Sequence, residues 1–306
     1  MVNLYAKVLR KLREQHFAHA AKGILATPPV RAADDGLILF SMIGTRVVLP
    51  YLVAAKSLHA QLRRGRFVIL DDGTLTEADR GVLGRHLDSP QFLSIAAVEP
   101  GDCPRGGCWE RLLALLDLRR DAYVIQLDSD TVTLGPVPEI ADAVNSGRNF
   151  TLRGDAGSSW RPAAQFAGDL AALPENAHVQ ARIEAVIDRI DAGLPRPHHY
   201  VRGCAGFAGF SPGGFDRGLP DAFSREARAL LGETSWAQWG SEQVMSNVIV
   251  SNEGEPLLLP YDRYMNYWAE PGVGAAAFVH FLGTCRYDRG MYRHVTRQVI
   301  GRLGGA

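Results

Sequence analysis

The stretch Tyr123-Val-Ile-Gln-Leu-Asp128-Ser129-Asp130-Thr131 is an apolar run that ends abruptly in two carboxylates. The run has the length of a buried strand. Because side chains alternate along an extended chain, Asp128 and Asp130 are predicted to point the same way. Two hard oxygen ligands at a strand end suit a divalent cation such as Mg²⁺ or Mn²⁺. We therefore expect both aspartates to bind a metal whose anionic partner is a diphosphate.

Upstream of this stretch, strand and helix patterns alternate four times. Strands are predicted at 36–43, 66–70, 92–98 and 123–127, and helices at 49–62, 77–87 and 109–118. Thr76 is predicted to cap the second of these helices, with Asp79 at the third helical position. Such alternation favours an α/β domain with a mainly parallel sheet, whose ligands bind beyond the carboxyl ends of the strands.

The second half of the chain is less regular. It predicts a strand at 149–153, a helix at 177–192, a glycine-interrupted strand pair or kinked strand at 200–210, a helix at 242–250, a strand at 276–283 and a helix from Met291. His280 is placed near a strand end and is a candidate third metal ligand. A lone histidine on an apolar strand is usually a hydrogen-bonded core residue, so His280 alone is a weak indication of a metal site.

Bulk composition excludes several classes of protein. The chain has 306 residues, 33 acidic and 33 basic, so it lacks the charge excess typical of nucleic-acid binding. Its four cysteines are scattered and are expected to be free thiols. No apolar stretch approaches the roughly 20 residues of a membrane span, and no secretory signal is evident. We expect a cytoplasmic protein.

The first 31 residues carry six basic side chains against one acid, Glu14, and Leu4, Val8 and Leu12 recur at helical spacing. This pattern fits a basic amphipathic helix at a membrane surface or on a partner. An ordinary surface helix is the favoured interpretation, because the amphipathic pattern is modest and aromatic residues are few. Peripheral contact with the inner face of a membrane through the basic ends of the chain is the alternative.

Several motifs carry a resemblance to glycosyltransferases of the GT-A fold, closest to glycosyltransferase family eight, which includes the glycogenins and bacterial lipopolysaccharide galactosyl- and glucosyltransferases. In chain order they are Tyr51 with Lys56-Ser57-Leu58, Arg111 placed 17 residues before Asp128, Asp128-Ser-Asp130, Cys204-Ala-Gly206-Phe207, Glu242-Gln243-Val-Met-Ser-Asn247 and His280-Phe-Leu-Gly283-Thr-Cys-Arg286. The similarity runs from about Leu37 to Tyr287 and covers most of the chain.

The resemblance implies a Rossmann-like mixed sheet, mostly parallel and flanked by helices. It implies metal-dependent transfer of a sugar, with retention, from a UDP-sugar to a glycan, a lipid-linked glycan or another hydroxyl acceptor. The residues it implies are Glu242 and Gln243 for catalysis, Ser41, Arg111, Ser129, Gly206, Gly283 and Arg286 for donor binding, and Asp128, Asp130 and His280 for Mn²⁺ or Mg²⁺.

The same resemblance predicts the domain organisation. Residues 1–35 form a basic helical extension, 36–288 the glycosyltransferase domain, and 289–306 a helical tail. Within the domain, 36–135 is the nucleotide-binding half and 136–288 the acceptor-side half. The chain departs from the family in carrying Cys204 for Asn, Glu242 for Asp and Arg286 for Lys, and it lacks an aspartate at Ser41-Met-Ile-Gly44.

Two other functions fit parts of the sequence. In a haloacid-dehalogenase-type phosphatase, Asp128 would be a nucleophile and Asp130 an acid/base. That class needs a later lysine, and the chain has none after Lys56. A non-catalytic sugar-nucleotide or glycan-binding protein of the same fold is the other alternative, favoured by the substituted motif positions.

Overall fold

The computed structural model describes residues 4–169, 173–174 and 176–305. The α-helices in this part of the chain are α1 (Leu4–Ala21), α2 (Val48–Leu62), α3 (Glu77–His86), α4 (Trp109–Leu118), α5 (Pro138–Ser146), α6 (Ala163–Asp169), α7 (Val179–Glu184), α8 (Gly218–Leu231), α9 (Glu233–Trp236), α10 (Ser241–Asn252) and α11 (Met291–Gly304). The strands are β1 (Leu37–Ile43), β2 (Arg66–Asp71), β3 (Gln91–Ser94), β4 (Tyr123–Leu127), β5 (Thr131–Thr133), β6 (Phe150–Arg153), β7 (Arg161–Pro162), β8 (His199–Tyr200), β9 (Gly203–Phe210), β10 (Leu257–Leu258), β11 (Tyr264–Tyr267) and β12 (Phe278–Phe281).

The main sheet has seven strands in the order β10-β6-β9-β4-β1-β2-β3. Strands β1 and β2 pair in parallel, as do β6 and β10, whereas β6 and β9 are antiparallel. All five residues of β4 are buried, which explains why apolar residues stand at consecutive positions in it, apart from Gln126, and do not alternate with polar ones. The predicted mixed α/β sheet is therefore confirmed.

The chain divides into two compact units. The first comprises 1–93, 127–141 and 260–306, and the second comprises 94–126 and 142–259. In the first unit, helix α2 packs against β5 and helix α11 packs against α1 and α2. The N–H of Thr133 donates to the hydroxyl of Ser57 over 3.0 Å, which fixes β5 to the buried face of α2.

The core of the second unit is built around two tryptophans. Trp109, the first residue of α4, meets Trp236 edge to face at 5.5 Å between ring centroids. Its indole N–H donates to the hydroxyl of Ser241, the first residue of α10, over 2.9 Å. Because a buried indole needs a partner for its N–H, this bond fixes where α10 begins relative to α4.

Several predicted elements keep their identity but change their limits. The predicted strand at 92–98 is shorter, because β3 ends at Ser94 and a 3₁₀ turn covers Ile95–Ala97. The predicted helix at 177–192 is reduced to α7 and a separate 3₁₀ turn at Ile187–Arg189. The predicted capping box of α3 is present, with Thr76 and Asp79 each bonding the other's backbone N–H.

No disulfide links any of the four cysteines, all of which lie in the described part of the chain, as the sequence predicts. Among the described residues, none of the helices combines the length and the apolar character that crossing a lipid bilayer requires.

Candidate functional site

The two aspartates lie in a turn between β4 and β5. Strand β4 ends at Leu127, and β5 begins at Thr131, so Asp128 to Asp130 are not extended. The two carboxylates do converge, as predicted, but through this turn and not through strand alternation. What holds them is the turn itself, because the hydroxyl of Thr131 donates to the carbonyl of Asp128 over 2.9 Å.

A three-stranded sheet, β11-β12-β5, places His280 beside this turn. Strands β5 and β12 are antiparallel, and His280 lies opposite Thr131. The N–H of Phe281 donates to the carbonyl of Asp130 over 2.8 Å, which continues the pairing into the turn. His280 and Asp130 are thus brought together by strand register, although they are far apart in the chain.

Asp128, Asp130 and His280 form a cluster in which one possible ligand atom from each residue lies within 4.8 Å of the others. The Nε2 atom of His280 is 3.3 Å from Oδ1 of Asp130 and 3.9 Å from Oδ2 of Asp128. His280 and Asp130 are buried, and Asp128 is half-buried. Two carboxylates and one imidazole so close together fit a divalent cation such as Mn²⁺.

Arg286 supplies positive charge to the same cluster. Its guanidinium pairs with Oδ2 of Asp130 and also donates to the carbonyl of Phe281 over 3.2 Å. Burial raises the pKa of the Asp130 carboxyl, but the charges and hydrogen bonds of His280 and Arg286 outweigh burial, and the pKa is lowered. Asp130 is therefore held as a carboxylate, the form that a metal needs.

A cavity of about 340 Å³ in the first unit adjoins the residue that follows Arg286. Its lining includes Tyr287, residues 45–46 and 48–50 just after β1, and Glu14, Phe17 and Ala18 of α1. The walls are mainly apolar, with a few polar groups, which is the usual composition of a small-molecule site. It lies beyond the carboxyl end of β1, where ligands of parallel sheets bind.

The other predicted residues of the first unit occupy different surroundings. Ser41 is buried in β1, and its hydroxyl donates to the carbonyl of Leu127 over 2.6 Å. Ser129 lies in the aspartate turn, and its carbonyl accepts a bond from the hydroxyl of Tyr292 over 3.4 Å. Gly283 begins the short turn that leads to Arg286, and no atom lies within 4 Å of where a Cβ would stand.

In the second unit, Arg111 and Glu242 form a buried ion pair. The Nη2 atom of Arg111 lies 3.3 Å from each carboxylate oxygen of Glu242. Both side chains are more than nine-tenths buried. Helices α4 and α10 therefore bring together a predicted donor-binding residue and a predicted catalytic residue, a pairing that their spacing in the sequence does not indicate.

Gln243 is held by hydrogen bonds at both ends of its amide. Its Oε1 accepts a bond from the N–H of Ala205 over 3.3 Å, and its Nε2 donates to Oε1 of Gln180 over 3.2 Å. Gly206 follows Ala205 in the buried strand β9. These contacts tie the predicted catalytic amide to the strand that carries the Cys204-Ala-Gly206-Phe207 motif.

Asn247, the last residue of the Glu-Gln-x-x-x-Asn motif, has a structural contact with the same strand. Its Nδ2 donates to the carbonyl of Gly203 over 3.2 Å. A Cβ at Gly203 would collide with Oδ1 of Asn247 and with the hydroxyl of Thr151. The close approach of α10 to β9 therefore requires glycine at this position.

Asn266 is a site residue that the sequence analysis missed. It is buried in β11, and its Oδ1 lies 3.1 Å from Nδ1 of His280. The available signal is one amide side chain inside the aromatic run Tyr264-Met-Asn-Tyr267. A buried amide needs a hydrogen-bond partner, but the sequence does not show which strand supplies it.

Comparison with known proteins gives matches only at the level of structure. No family profile matches the chain, and no curated protein matches it in sequence. The apo structure of the bifunctional glycosyltransferase WbbM is similar, with a TM-score of 0.51, 12% identity, and coverage of 90% of this chain and 52% of that one. An active-site mutant of LgtC has a TM-score of 0.47, 13% identity, and coverage of 88% and 95%. The galactosyltransferase LgtC in complex with donor and acceptor sugar analogues has a TM-score of 0.45, 14% identity, and coverage of 87% and 96%.

The chain has the GT-A glycosyltransferase fold, and the fold prediction is confirmed. It spans about half the length of the WbbM structure. At this level of identity the likeness concerns the fold, and what the site does must be argued from its own residues.

Proposed function

We propose that the protein is a metal-dependent glycosyltransferase that moves a sugar from a nucleoside-diphosphate sugar to a hydroxyl acceptor. The observation that carries this proposal is the cluster of Asp128, Asp130 and His280, built within a GT-A fold. Mn²⁺ or Mg²⁺ is the proposed metal, since carboxylate oxygens suit both and an imidazole ligand favours Mn²⁺. The donor is proposed to be a UDP-sugar, as the family resemblance implies.

Asp128, Asp130 and His280 would hold the metal, and Arg286 would bind the diphosphate. A bound cation supplies positive charge that offsets the negative charge developing on the leaving diphosphate. Arg286 acts in the same direction, because its planar guanidinium offers two parallel donors to phosphate oxygens. Its present pairing with Asp130 means that the side chain is long enough to reach the cluster. Gly283 is proposed to contribute to the donor site through the open space at its own Cβ position.

The cavity beside Tyr287 is proposed to take the nucleoside. It has room for a base and ribose at about 340 Å³ and lies next to the residue that would bind the diphosphate. Ser41, in the last half of β1, and Ser129, in the turn after β4, are proposed as donor-site residues. The hydroxyl of Ser41 would act by holding the backbone of Leu127 in place.

Glu242 and Gln243 are proposed to act on the donor sugar, with Arg111 and Gly206 shaping their surroundings. The Arg111 ion pair restricts Glu242, so a hydrogen bond to a sugar hydroxyl suits this carboxylate better than direct attack. The bonds to Ala205 and Gln180 likewise fix the orientation of the Gln243 amide. Retention of the anomeric configuration is proposed from the family resemblance.

The acceptor is proposed to be a glycan, free or linked to lipid. Exposed Val8 and Leu12 lie on α1 beside the exposed basic residues Arg10 and Lys11. This combination of apolar and basic side chains suits the surface of an anionic membrane. We propose that this helix makes peripheral contact with the inner face of the membrane. A lipid-linked acceptor would be reached in this way.

The fold argues against one of the two alternative functions, the phosphatase, and is compatible with the other, the non-catalytic binding protein. A haloacid-dehalogenase-type phosphatase has another fold, and its Asp128 nucleophile has no support here. A non-catalytic sugar-nucleotide-binding protein keeps the fold and the metal cluster. Release of nucleoside diphosphate from a donor separates it from the enzyme.

The test is a thermal-shift screen of nucleoside diphosphates and their sugars, each with and without Mn²⁺. A ligand that binds only the folded state raises the melting temperature by mass action. We expect a shift that requires Mn²⁺ in the wild type and is absent in Asp130→Ala. A metal-independent shift, or one that persists in Asp130→Ala, would remove the proposed metal site.

A further inference from the structure

The two ring nitrogens of His280 have different neighbours. Nε2 faces the carboxylates of Asp128 and Asp130. Nδ1 faces Oδ1 of Asn266 at 3.1 Å. An amide oxygen only accepts hydrogen bonds, so this contact requires a proton on Nδ1. A proton held on Nδ1 makes Nε2 the ring nitrogen that can give up its proton and bind a cation.

The contact between Asn266 and His280 is fixed by strand register. Strands β11 and β12 are parallel, and Asn266 lies directly opposite His280. On the other side of β12, His280 lies opposite Thr131, which closes the aspartate turn. Asn266, His280 and Thr131 therefore form one row across the three-stranded sheet. Both Asn266 and His280 are almost completely buried, so water does not compete for Nδ1.

We propose that Asn266 is a positioning residue, which keeps the proton of His280 on Nδ1 and presents Nε2 to the aspartates. This inference rests on the proposed function, since the orientation of Nε2 matters for metal binding. Partners of this kind fix the tautomer and the ring orientation of metal-binding histidines, and their loss costs about 10- to 100-fold in metal affinity. Asn266 itself contacts no metal in this arrangement.

The test compares three chains that differ at one buried side chain. Asn266→Asp keeps an acceptor at the same position, whereas Asn266→Leu removes the acceptor and nearly keeps the volume. Mn²⁺ affinity, measured by titration with electron paramagnetic resonance, is expected to stay within about threefold in Asn266→Asp and to fall about 10- to 100-fold in Asn266→Leu. Equal affinities in the wild type and Asn266→Leu would overturn the proposal.

A second readout works without metal. Long-range ¹H–¹⁵N spectra of the metal-free protein report which nitrogen of His280 carries the proton, with His280→Gln identifying the signal. We expect protonated Nδ1 in the wild type and in Asn266→Asp, and loss of this state in Asn266→Leu. A neutral ring with its proton on Nε2 in the wild type would contradict the inference.

The two readouts separate this inference from the proposed function. If the wild type binds no Mn²⁺, with or without nucleoside diphosphate, the proposed function fails at its metal site, and the tautomer still decides the role of Asn266. If Mn²⁺ binds but the tautomer does not depend on Asn266, the proposed function stands and the inference fails. Circular dichroism of each variant establishes that it is folded.

Discussion

Arg286 supplies positive charge where two carboxylates lie close together. Asp130 is buried beside a second carboxylate, and two carboxylates so close repel each other. The guanidinium of Arg286 relieves that repulsion by pairing with Asp130. The same pairing competes with a cation for the carboxylate. We propose that Arg286 has two tasks, neutralising the pair of carboxylates and binding the diphosphate.

Removing Arg286 should separate these tasks. Arg286→Ala is expected to raise Mn²⁺ affinity about tenfold in the absence of nucleotide, which corresponds to about 1.4 kcal/mol. It should lower the affinity for nucleoside diphosphate, because the phosphate loses a partner. Both constants can be measured by isothermal titration calorimetry, with a substitution at an exposed residue of α11, Arg297→Ala, as the control. Weaker Mn²⁺ binding in Arg286→Ala would contradict the competition.

The ion pair between Arg111 and Glu242 is predicted to matter for stability. Breaking a buried pair leaves one charge without its partner, which typically costs about 3–5 kcal/mol. Arg111→Met should therefore lower the free energy of unfolding by about that amount. The double variant Arg111→Met/Glu242→Leu should recover much of the loss. Urea denaturation measures the free energy of unfolding of each variant. If the loss in the double variant equals the sum of the losses in Arg111→Met and Glu242→Leu, the pair is not coupled.

At the scale of elements, the sequence predicts strands better than it predicts which residues meet across them. The run ending in Asp128 and Asp130 is recognisable as a strand end, and His280 as a third ligand, because each follows an apolar run. Asn266 cannot be found in this way, since its contact depends on the register of β11 and β12. The Arg111 ion pair escapes sequence reasoning for a similar reason, because it depends on how α4 and α10 pack.

Helix α2 is anchored through a buried lysine. The ammonium of Lys56 donates to the hydroxyl of Thr27 over 2.5 Å and to the carbonyl of Pro28 over 2.8 Å, and it lies 3.2 Å from Nδ1 of His86. Burial lowers the pKa of Lys56 to about 8, because desolvation penalises the charged form.

This lowered pKa predicts a pH dependence of stability. Between about pH 8 and pH 10.5, the unfolded chain binds a proton at Lys56 that the folded chain has released. Stability from this group therefore rises with pH across that window and is lowest below it. The rise should disappear in Lys56→Met and remain in Lys22→Met, an exposed control. Urea denaturation at several pH values measures it, and identical profiles for Lys56→Met and the wild type would contradict the assignment.

Helix α1 contributes a wall of the cavity proposed for the nucleoside. Ala18 is exposed and lines that cavity. Ala26 is also exposed but does not line the cavity, so it serves as the control position. Ala18→Trp should fill part of the space and weaken nucleoside diphosphate binding by at least about tenfold, a cost of about 1.4 kcal/mol. Mn²⁺ affinity should not change, because the metal cluster is untouched. Equal nucleotide binding in Ala18→Trp and Ala26→Trp would place the nucleoside elsewhere.

For the whole molecule, the sequence is sufficient to predict the fold and the residues of the candidate metal cluster. Each depends on patterns that are local in the chain, namely apolar runs, caps and short motifs in a fixed order. The domain limits at residues 35 and 288 and the roles of Glu242 and Gln243 stay predictions. The two roles depend on chemistry with a donor and an acceptor, and short motifs indicate that chemistry only by resemblance.

Transfer of sugar from a nucleotide donor, and not binding alone, defines the proposed enzyme. The most direct measurement is the release of nucleoside diphosphate from a panel of nucleotide sugars, with and without Mn²⁺ and with water or simple glycans as acceptors. We predict release from one class of donor that requires Mn²⁺ and is lost in Asp128→Asn and Asp130→Asn. Metal-dependent donor binding without any release across the panel would contradict the claim and identify a binding protein of the same fold.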